Sequence, residues 1–568
     1  MKRFLCILFA VMMILAVAVF AASCGGEDKP DDTTSQTEKQ PDTTASQSET
    51  EKQPDATEPE QSSDTGDKET QPSSDAEPQS DPQSATQSDT EPQVTDTSDT
   101  EPQVTDTSDT EPSLTIVIPT EYADVDFGGK TFNVIYRYQT AEDTPSGWGQ
   151  VFDLYLNEDN PDDALSASAK FLMVYMGSTF NCTVNGVPSI DPGTAMSNAI
   201  QSGDSIYDMI LSRTSPSGYA NGKFYNLLPM LDQSLTCWDN AVIRDLAIGN
   251  KLYGITGNCS TSDDDATWVM FFNKTLLSEN NLEYPYQLVR DGKWTIDKFL
   301  EYSRNCQKEL DGDDVISNLN GKDIFGFVTH GEHAPAVWIG CGIRLAGPVQ
   351  ADGTIKTSCN ALGYEADIFA KVLEVMYDSS TGYANKQTNM GVPGGLRAVF
   401  TSGRAAFYGE CLGNIGNSYQ SGCLKDVEGL SFGVIPQPKW NEEQTEYYHY
   451  VNNQASFIGI PITANYGIAT RFLNVYGLVF EQTVQATYIS NVATAWVSDP
   501  DVADMMRLIF DSRVWDAGYW YNSSAVHANL LSDVGTNNNR YSKRVEKGEG
   551  KLQSSLDELF NKIGTLTV

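Results

Sequence analysis

Residues Lys130–Arg137 read KTFNVIYR and follow a Gly128–Gly129 turn. The alternation and the wealth of β-formers predict a strand. Downstream, Asp162–Met176 (DDALSASAKFLMVYM) opens on acids and carries apolar residues at helical spacing, which predicts a helix. Thr179–Val184 (TFNCTV) reads as a second strand, Gly193–Ser202 as a second helix and Tyr207–Ser212 (YDMILS) as a short buried strand. Strand, helix, strand, helix, strand is the grammar of a parallel sheet, so the chain belongs to the α/β class. Ligands of such sheets sit in the loops beyond the strand carboxyl ends. That singles out the loop 138–148 and the segment Arg213–Ser217.

Upstream the chain changes character. Lys2 and Arg3 precede an uncharged apolar run from Phe4 to Ala22, and Ala21, Ala22 and Ser23 lead into Cys24. This is the order of a secretory signal, and the cysteine after small residues resembles a bacterial lipoprotein lipobox. The resemblance implies a signal peptide over 1–23 and a lipidated (palmitate-type) Cys24 as membrane anchor. The alternative is a transmembrane anchor, for which ~19 apolar residues are only just enough. Residues 24–113 form a low-complexity acidic linker with no Phe, Trp, Tyr, Leu, Ile or Met between Gly25 and Ser113. Such a segment cannot bury enough surface to offset its chain entropy and is expected to be disordered. It repeats SDTEPQVTDT at 88–97 and 98–107. One Val per unit gives no stacking face, so this is a spacer rather than a solenoid. Its mean reach is roughly 50–60 Å. Together these features place the rest of the chain on the extracellular face of a cell membrane, as in a Gram-positive bacterium.

The whole chain carries −40. The stretch 27–113 has 25 acids and 4 lysines, hence −21; with +2 in the signal, the remainder also carries −21. That balance argues against nucleic acid and anionic lipid as partners, since both demand basic patches. Residues 114–568 are too long for one simple core and imply two or three lobes. Eight cysteines remain there, with no CxxC pair among them. An even count in an exported protein permits disulfides, and small buried thiols serve equally well.

A family resemblance lies in the order of several weak motifs. They are NLLPML (226–231), NKLYGIT (250–256), WVMFFNKTLL (268–277), WTIDKF (294–299), VFTSGRAAF (399–407), FGVIPQPK (432–439) and ASFIGIP (455–461). Over about 120–530 the chain resembles the extracellular solute-binding proteins of ATP-driven (ABC) importers, of the maltose-binding type. The resemblance implies a two-lobed periplasmic-binding-protein-like (type II) fold with hinge strands. It implies lobe 1 at approximately 120–267 and 461–495, and lobe 2 at approximately 274–454 and 500–568. WVMFFN would be the first crossing and Ala455–Ile460 the return. Helix 468–483 would lie back on lobe 1, and 490–525 would cross again. It also implies ABC permease subunits as partners, a monomer, a carbohydrate-transport role, no cofactor and no catalysis.

Sugars present apolar faces edged by hydroxyls, so their binders need aromatic platforms beside carboxylates, amides and Arg. The chain has nine Trp, all after residue 113. Aromatic and polar residues where the resemblance places the cleft are Trp148 with Glu142 and Asp143, Arg213, Thr214, Trp268, Trp338, Tyr408, Glu410 with Asn414, Trp515, Tyr519, Trp520 and Tyr521. Against each stands a core role; Trp294 and Trp440 are expected to pack. The acids Asp263–Asp265 sit displaced from where maltodextrin binders carry one, so a maltodextrin is not implied.

Other chemistry finds little support. No GxSxG, HExxH, P-loop or acid-linked GxGxxG motif occurs. His330-Gly-Glu-His333 has a zinc-like spacing, but Gly331 and Pro335 argue against one helical turn. Asp263–Asp265 and the acids of DGDD (311–314) lack the spacing of a calcium loop and read as solvated. The alternatives kept open are a receptor for peptides or other polar solutes and an anchored glycan-binding or glycan-degrading protein.

Overall fold

The computed structural model describes residues 115–138, 153–156, 163–317, 321–383, 395–416, 423–521 and 525–568. All of them lie in one compact unit, Thr107–Val568. The signal, Cys24, the spacer, Glu142, Asp143 and Trp148 fall outside the described residues.

The first sheet is built as the alternation predicts. Strand β1 spans Lys130–Arg137 and pairs in parallel with β2, Cys182–Ser189, in the register Lys130↔Cys182 to Arg137↔Ser189. β1 also pairs in parallel with β3, Met209–Ser212. The helices between them return the chain in the same direction. Helix Ala164–Phe180 starts at Asp163, whose carboxylate accepts from the Ser166 amide, and stops at Asn181 in the left-handed region. It runs four residues past the expected end because Phe180 has a fully buried ring to place. The second strand therefore begins at Cys182 rather than Thr179. Helix Pro192–Ser202 is capped by Asp191 and ended by Gly203 at φ +77°.

The second sheet is mixed. Among the described strands its order is β6-β5-β7-β4-β8, where β4 is Trp268–Asn273, β5 Phe325–Thr329, β6 Thr381–Tyr383, β7 Ala405–Cys411 and β8 Phe432–Ile435. All six residues of β4 are buried, because antiparallel neighbours β7 and β8 flank it. This corrects one expectation: WVMFFN is an interior strand of lobe 2, not the crossing. The crossing lies just before it, where isolated bridges join Ile255 to Ile458 and Thr267 to Val451. After β9 (His449–Tyr450) the return segment ends in β10 (Phe457–Gly459), which adds antiparallel to β3 and completes the first sheet. β11 (Arg513–Val514) pairs in parallel with β9.

Helix Tyr466–Phe480 lies back on lobe 1, with Phe472 stacked on Phe132 at 3.8 Å between centroids. Such pairs add about 0.5–1.5 kcal/mol beyond area burial. The last helix, Tyr541–Thr565, does not stay with lobe 2 as expected. Its end returns to lobe 1, where Lys251 Nζ donates to the Ile563 carbonyl at 3.1 Å and Tyr253 Oη to that of Val568 at 3.0 Å.

The three crossings are fastened by charge. Arg513 is 3% exposed. It donates through Nη1 to Asp263 at 2.8 Å, through Nη2 to Asp264 and through Nε to Thr267 at 3.1 Å. Gln485 donates to Asp264 at 2.6 Å and Thr256 to Asp263 at 3.0 Å. Burial pushes both carboxyls upward, and the guanidinium pulls them back. Asp263 and Asp264 are therefore buried partners of Arg513 and not a solvated loop, which corrects the sequence reading. The acids of 311–314 stand apart: Glu309 accepts from the amides of Asp311 and Gly312, and Asp323 from those of Leu310 and Ser317. The eight described cysteines are all buried and none is bonded to another. Among the described residues, no helix is long and apolar enough to cross a membrane.

Candidate functional site

A cavity of about 270 Å³ opens beyond the carboxyl end of β3, lined by Arg213, Ser215, Asn453, Gly518, Tyr519, Trp520, His527 and Ala528. Arg213 and Ser215 come from lobe 1. Asn453 comes from the return crossing, and Gly518–Trp520 from the segment after β11. His527 and Ala528 come from helix Ala525–Gly535, which packs against residues 331–340 of lobe 2. The walls are thus drawn from the edge of the first sheet, from the connecting segments and from a helix packed on lobe 2.

The side chains are fixed from behind. Arg213 Nε donates to the Asn453 carbonyl at 3.3 Å, and the Asn453 amide donates to Tyr519 Oη at 3.0 Å. These two bonds tie the lobe 1 edge to the crossing and to the aromatic segment. Tyr519 sits between His527 and Tyr450, with ring centroids 4.7 and 5.1 Å away. Burial pushes the Tyr519 hydroxyl up to about 12 and His527 down to about 4, so both are neutral at pH 7. Burial, then the nearby Arg137, lowers Arg213 from its ordinary value, but it remains a cation.

Next to this cavity lies a histidine pair with two different fates. His330, 35% exposed at its side chain, meets Glu410 at 2.9 Å. Burial works against its imidazolium, but the Glu410 charge outweighs this and holds His330 above its usual value. Burial likewise raises Glu410, and His330 more than reverses it. His333 is in the core, stacked on Trp268 at 5.1 Å and bonded to Gln437 at 3.0 Å. Burial pushes it down to about 3. A Cβ on Gly409 would come within 2.2 Å of the His333 ring, so only glycine fits there. The two imidazoles thus have separate partners, a carboxylate and an amide.

The sequence-chosen residues divide accordingly. Arg213, Tyr519 and Trp520 stand on the cavity wall. Thr214 lies one residue from it, its hydroxyl accepting from Ser212 at 2.8 Å. Trp338 is 1% exposed and packs on Phe369 and His527. It backs the wall instead of forming a platform, which corrects the expectation. Trp268 is fully buried behind His330 and His333. Trp515 is buried with its indole donating to Asp239 at 2.8 Å, and Tyr521 donates to the Leu246 carbonyl. Tyr408 and Glu410 are buried on β7. Asn414 is buried as well, its amide donating to the Cys411 carbonyl at 3.4 Å. Trp294 packs as expected and donates to the Pro436 carbonyl at 3.0 Å.

The sequence reading included Ser215 within the segment Arg213–Ser217 but missed Asn453, His527 and Ala528. The polar triplet Asn452-Asn453-Gln454 before an apolar strand was the available signal for Asn453. A larger open groove of about 670 Å³ runs among Gly342, Arg344, Tyr364, Gln444 and Tyr448 on lobe 2. Its arginine is already engaged, 3.9 Å from Asp245 and 5.1 Å above the Tyr448 ring. No residue of the first sheet lines it.

No family model and no curated protein matches the chain. Solved structures do show a likeness. One is the galacto-N-biose/lacto-N-biose I-binding protein of the ABC transporter from Bifidobacterium longum, with lacto-N-biose (12% identity, 78% of this chain and 99% of that one, TM-score 0.47). A second is a sugar transporter structure from Rhizobium etli in an open conformation (13%, 77% and 100%, 0.45). A third is an ABC substrate-binding protein from Listeria monocytogenes in complex with cycloalternan (13%, 77% and 99%, 0.42). At such identities the site residues rest on this chain's own geometry.

Proposed function

We propose that this chain is the lipid-anchored, extracellular solute-binding component of an ATP-driven importer, capturing a sugar or oligosaccharide between its lobes without catalysing a reaction. The observation that supports the reading is the cavity whose walls come from the first sheet, from the segments connecting the two sheets and from a helix packed on lobe 2. A ligand touching both lobes has differential affinity for the closed state and so shifts the lobes toward closure. The lining suits a polyhydroxylated ring: the aromatic wall of Tyr519, with Trp520 packed behind it, for its apolar side, and Arg213, Ser215 and Asn453 for hydroxyls. Membrane subunits of the transporter would be its partners. Cys24 would carry the lipid, and the acidic spacer would hold the domain off the membrane.

The test is a thermal-shift screen of the purified chain against saccharides, amino acids and short peptides. Saturation to 100 times Kd stabilises the folded state by about 2.7 kcal/mol. The expected result is a rise in Tm with one class of carbohydrate. A rise with peptides alone would remove the sugar. Hydrolysis of a glycoside panel would overturn the receptor reading.

A further inference from the structure

The cavity wall holds an arginine and, among the described residues, no carboxylate. This is unexpected in a chain with 77 acids against 37 Lys and Arg. Elsewhere eight arginines, from the buried Arg513 to the exposed Arg507, each lie against an acid. Arg213 does not; its described hydrogen bond is the one from Nε to the Asn453 carbonyl. A second arginine stands beside it. β1 and β3 are parallel neighbours, and Tyr136 pairs with Leu211. Arg137 therefore leaves the carboxyl edge of the sheet opposite Ser212, one residue before Arg213. Arg137 Nη1 donates to the Ile190 carbonyl at 3.2 Å, while its Nε is buried without a partner. Among the described residues, Glu410 is bound to His330, and Asp191 caps its own helix while its carboxylate also answers to the Arg137 charge. Glu332, which the Tyr519 hydroxyl senses, is not part of the wall.

The two guanidinium groups repel each other, and for Arg213 no carboxylate stands on the cavity wall among the described residues to offset this. Such an arrangement is relieved when a bound oxyanion sits between the two forks, the geometry arginine recognises best. We infer that the solute captured here is an anionic saccharide, one bearing a carboxylate or phosphate that Arg213, seconded by Arg137, receives at the carboxyl edge of the first sheet. The inference rests on the sugar-capture reading above and narrows it. Neutral rings would satisfy the aromatic and amide walls but leave Arg213 uncompensated.

The experiment compares matched ligands on the whole chain by titration calorimetry, in a buffer free of carboxylate and phosphate. The ligands are glucose, glucuronate and glucose 6-phosphate, then neutral and uronate-containing disaccharides. The acidic member of a pair is expected to bind at least tenfold more tightly than its neutral partner, whether through carboxylate or through phosphate. Arg213→Gln should abolish that preference while retaining the apo melting temperature, and Arg213→Lys should restore part of it. Arg137→Gln should weaken the preference to a lesser degree. Equal affinity for acidic and neutral sugars overturns this inference and leaves sugar capture standing. Binding of acidic amino acids with no saccharide bound would overturn the sugar reading as well. A preference that survives Arg213→Gln would overturn the residue assignment.

Discussion

Two arginines, Arg513 between the two sheets and Arg213 on the cavity wall, hold opposite places in the molecule. Arg513 is buried, and its donors meet Asp263, Asp264 and Thr267. Arg213 is only partly buried and feels Arg137, and among the described residues no carboxylate shares its cavity wall. A charge that is buried and paired has its partners built into the fold, and removing it leaves uncompensated carboxylates. A charge left half-exposed and unpaired has capacity to spare for something that arrives later. The difference separates the residues that make this fold from those that use it.

The contrast is broken most severely at Arg513. Arg513→Ala should cost at least about 3–5 kcal/mol, since it strands Asp263 and Asp264 in the interior. Chemical denaturation should register it as a large fall in midpoint or as failure to fold. Trp338→Ala comes next, at about 3–5 kcal/mol, from the cavity it leaves behind His527. An apo Tm unchanged by this substitution would return Trp338 to the ligand-contact role that its burial denies.

Acid provides the third test. His333 and His449 are held by burial at about 3, against 6.5 ordinarily. Above pH 6.5 neither the folded nor the unfolded chain protonates them, and they add no pH dependence. Below it the unfolded chain binds the proton first, so stability falls as the pH drops from 6.5 toward 3. At pH 5 the loss is about 2 kcal/mol for each. The His330–Glu410 pair behaves differently. The raised His330 contributes stability that is complete below 6.5 and fades as pH rises through its elevated value. The lowered Glu410 contributes above 4.5 and fades as pH falls through its depressed value. The raised carboxyls of Asp263, Asp264 and Asp516 also gain stability as the pH falls, so the histidine share is read by difference: His449→Gln should reduce the stability lost between pH 7 and pH 5 in urea unfolding. A pH 5 loss unchanged by that substitution would contradict neutral burial of His449.

The smallest effect on stability belongs to Arg213→Gln. The lost bond to Asn453 and the relieved repulsion from Arg137 act in opposite senses, so the change should stay within about 1 kcal/mol of wild type. A collapse of the apo fold would make Arg213 a second Arg513 and remove the contrast.

Local pattern carried the first lobe well. KTFNVIYR is a strand over the expected residues because alternation and the preceding Gly-Gly turn agree. The helix–strand succession to Ser212 follows in order, with boundaries moved where Phe180 prolonged its helix. Long-range partners were beyond reach. WVMFFN is apolar throughout, which suits a hinge strand as well as an interior one, and only the pairing of β4 with β7 and β8 decides. Asp263 and Asp264 looked solvated because the cation that buries them lies about 250 residues later. The tryptophans misled for a similar reason: Trp338 and Trp515 have the composition of a sugar platform and the position of a core. Arg213 was legible because it directly follows a parallel strand, where the topology itself places ligands.

The central claim is that solute is held in the cavity between Arg213 and helix Ala525–Gly535. Ala528 lies on its wall with its side chain toward solvent, so Ala528→Trp should fill the cavity without disturbing the core. The decisive measurement is calorimetric titration of wild type and Ala528→Trp with the saccharide that gives the largest thermal shift. The account predicts at least a tenfold loss of affinity with an unchanged apo melting temperature. Equal affinity in the two proteins would place the solute elsewhere and contradict it.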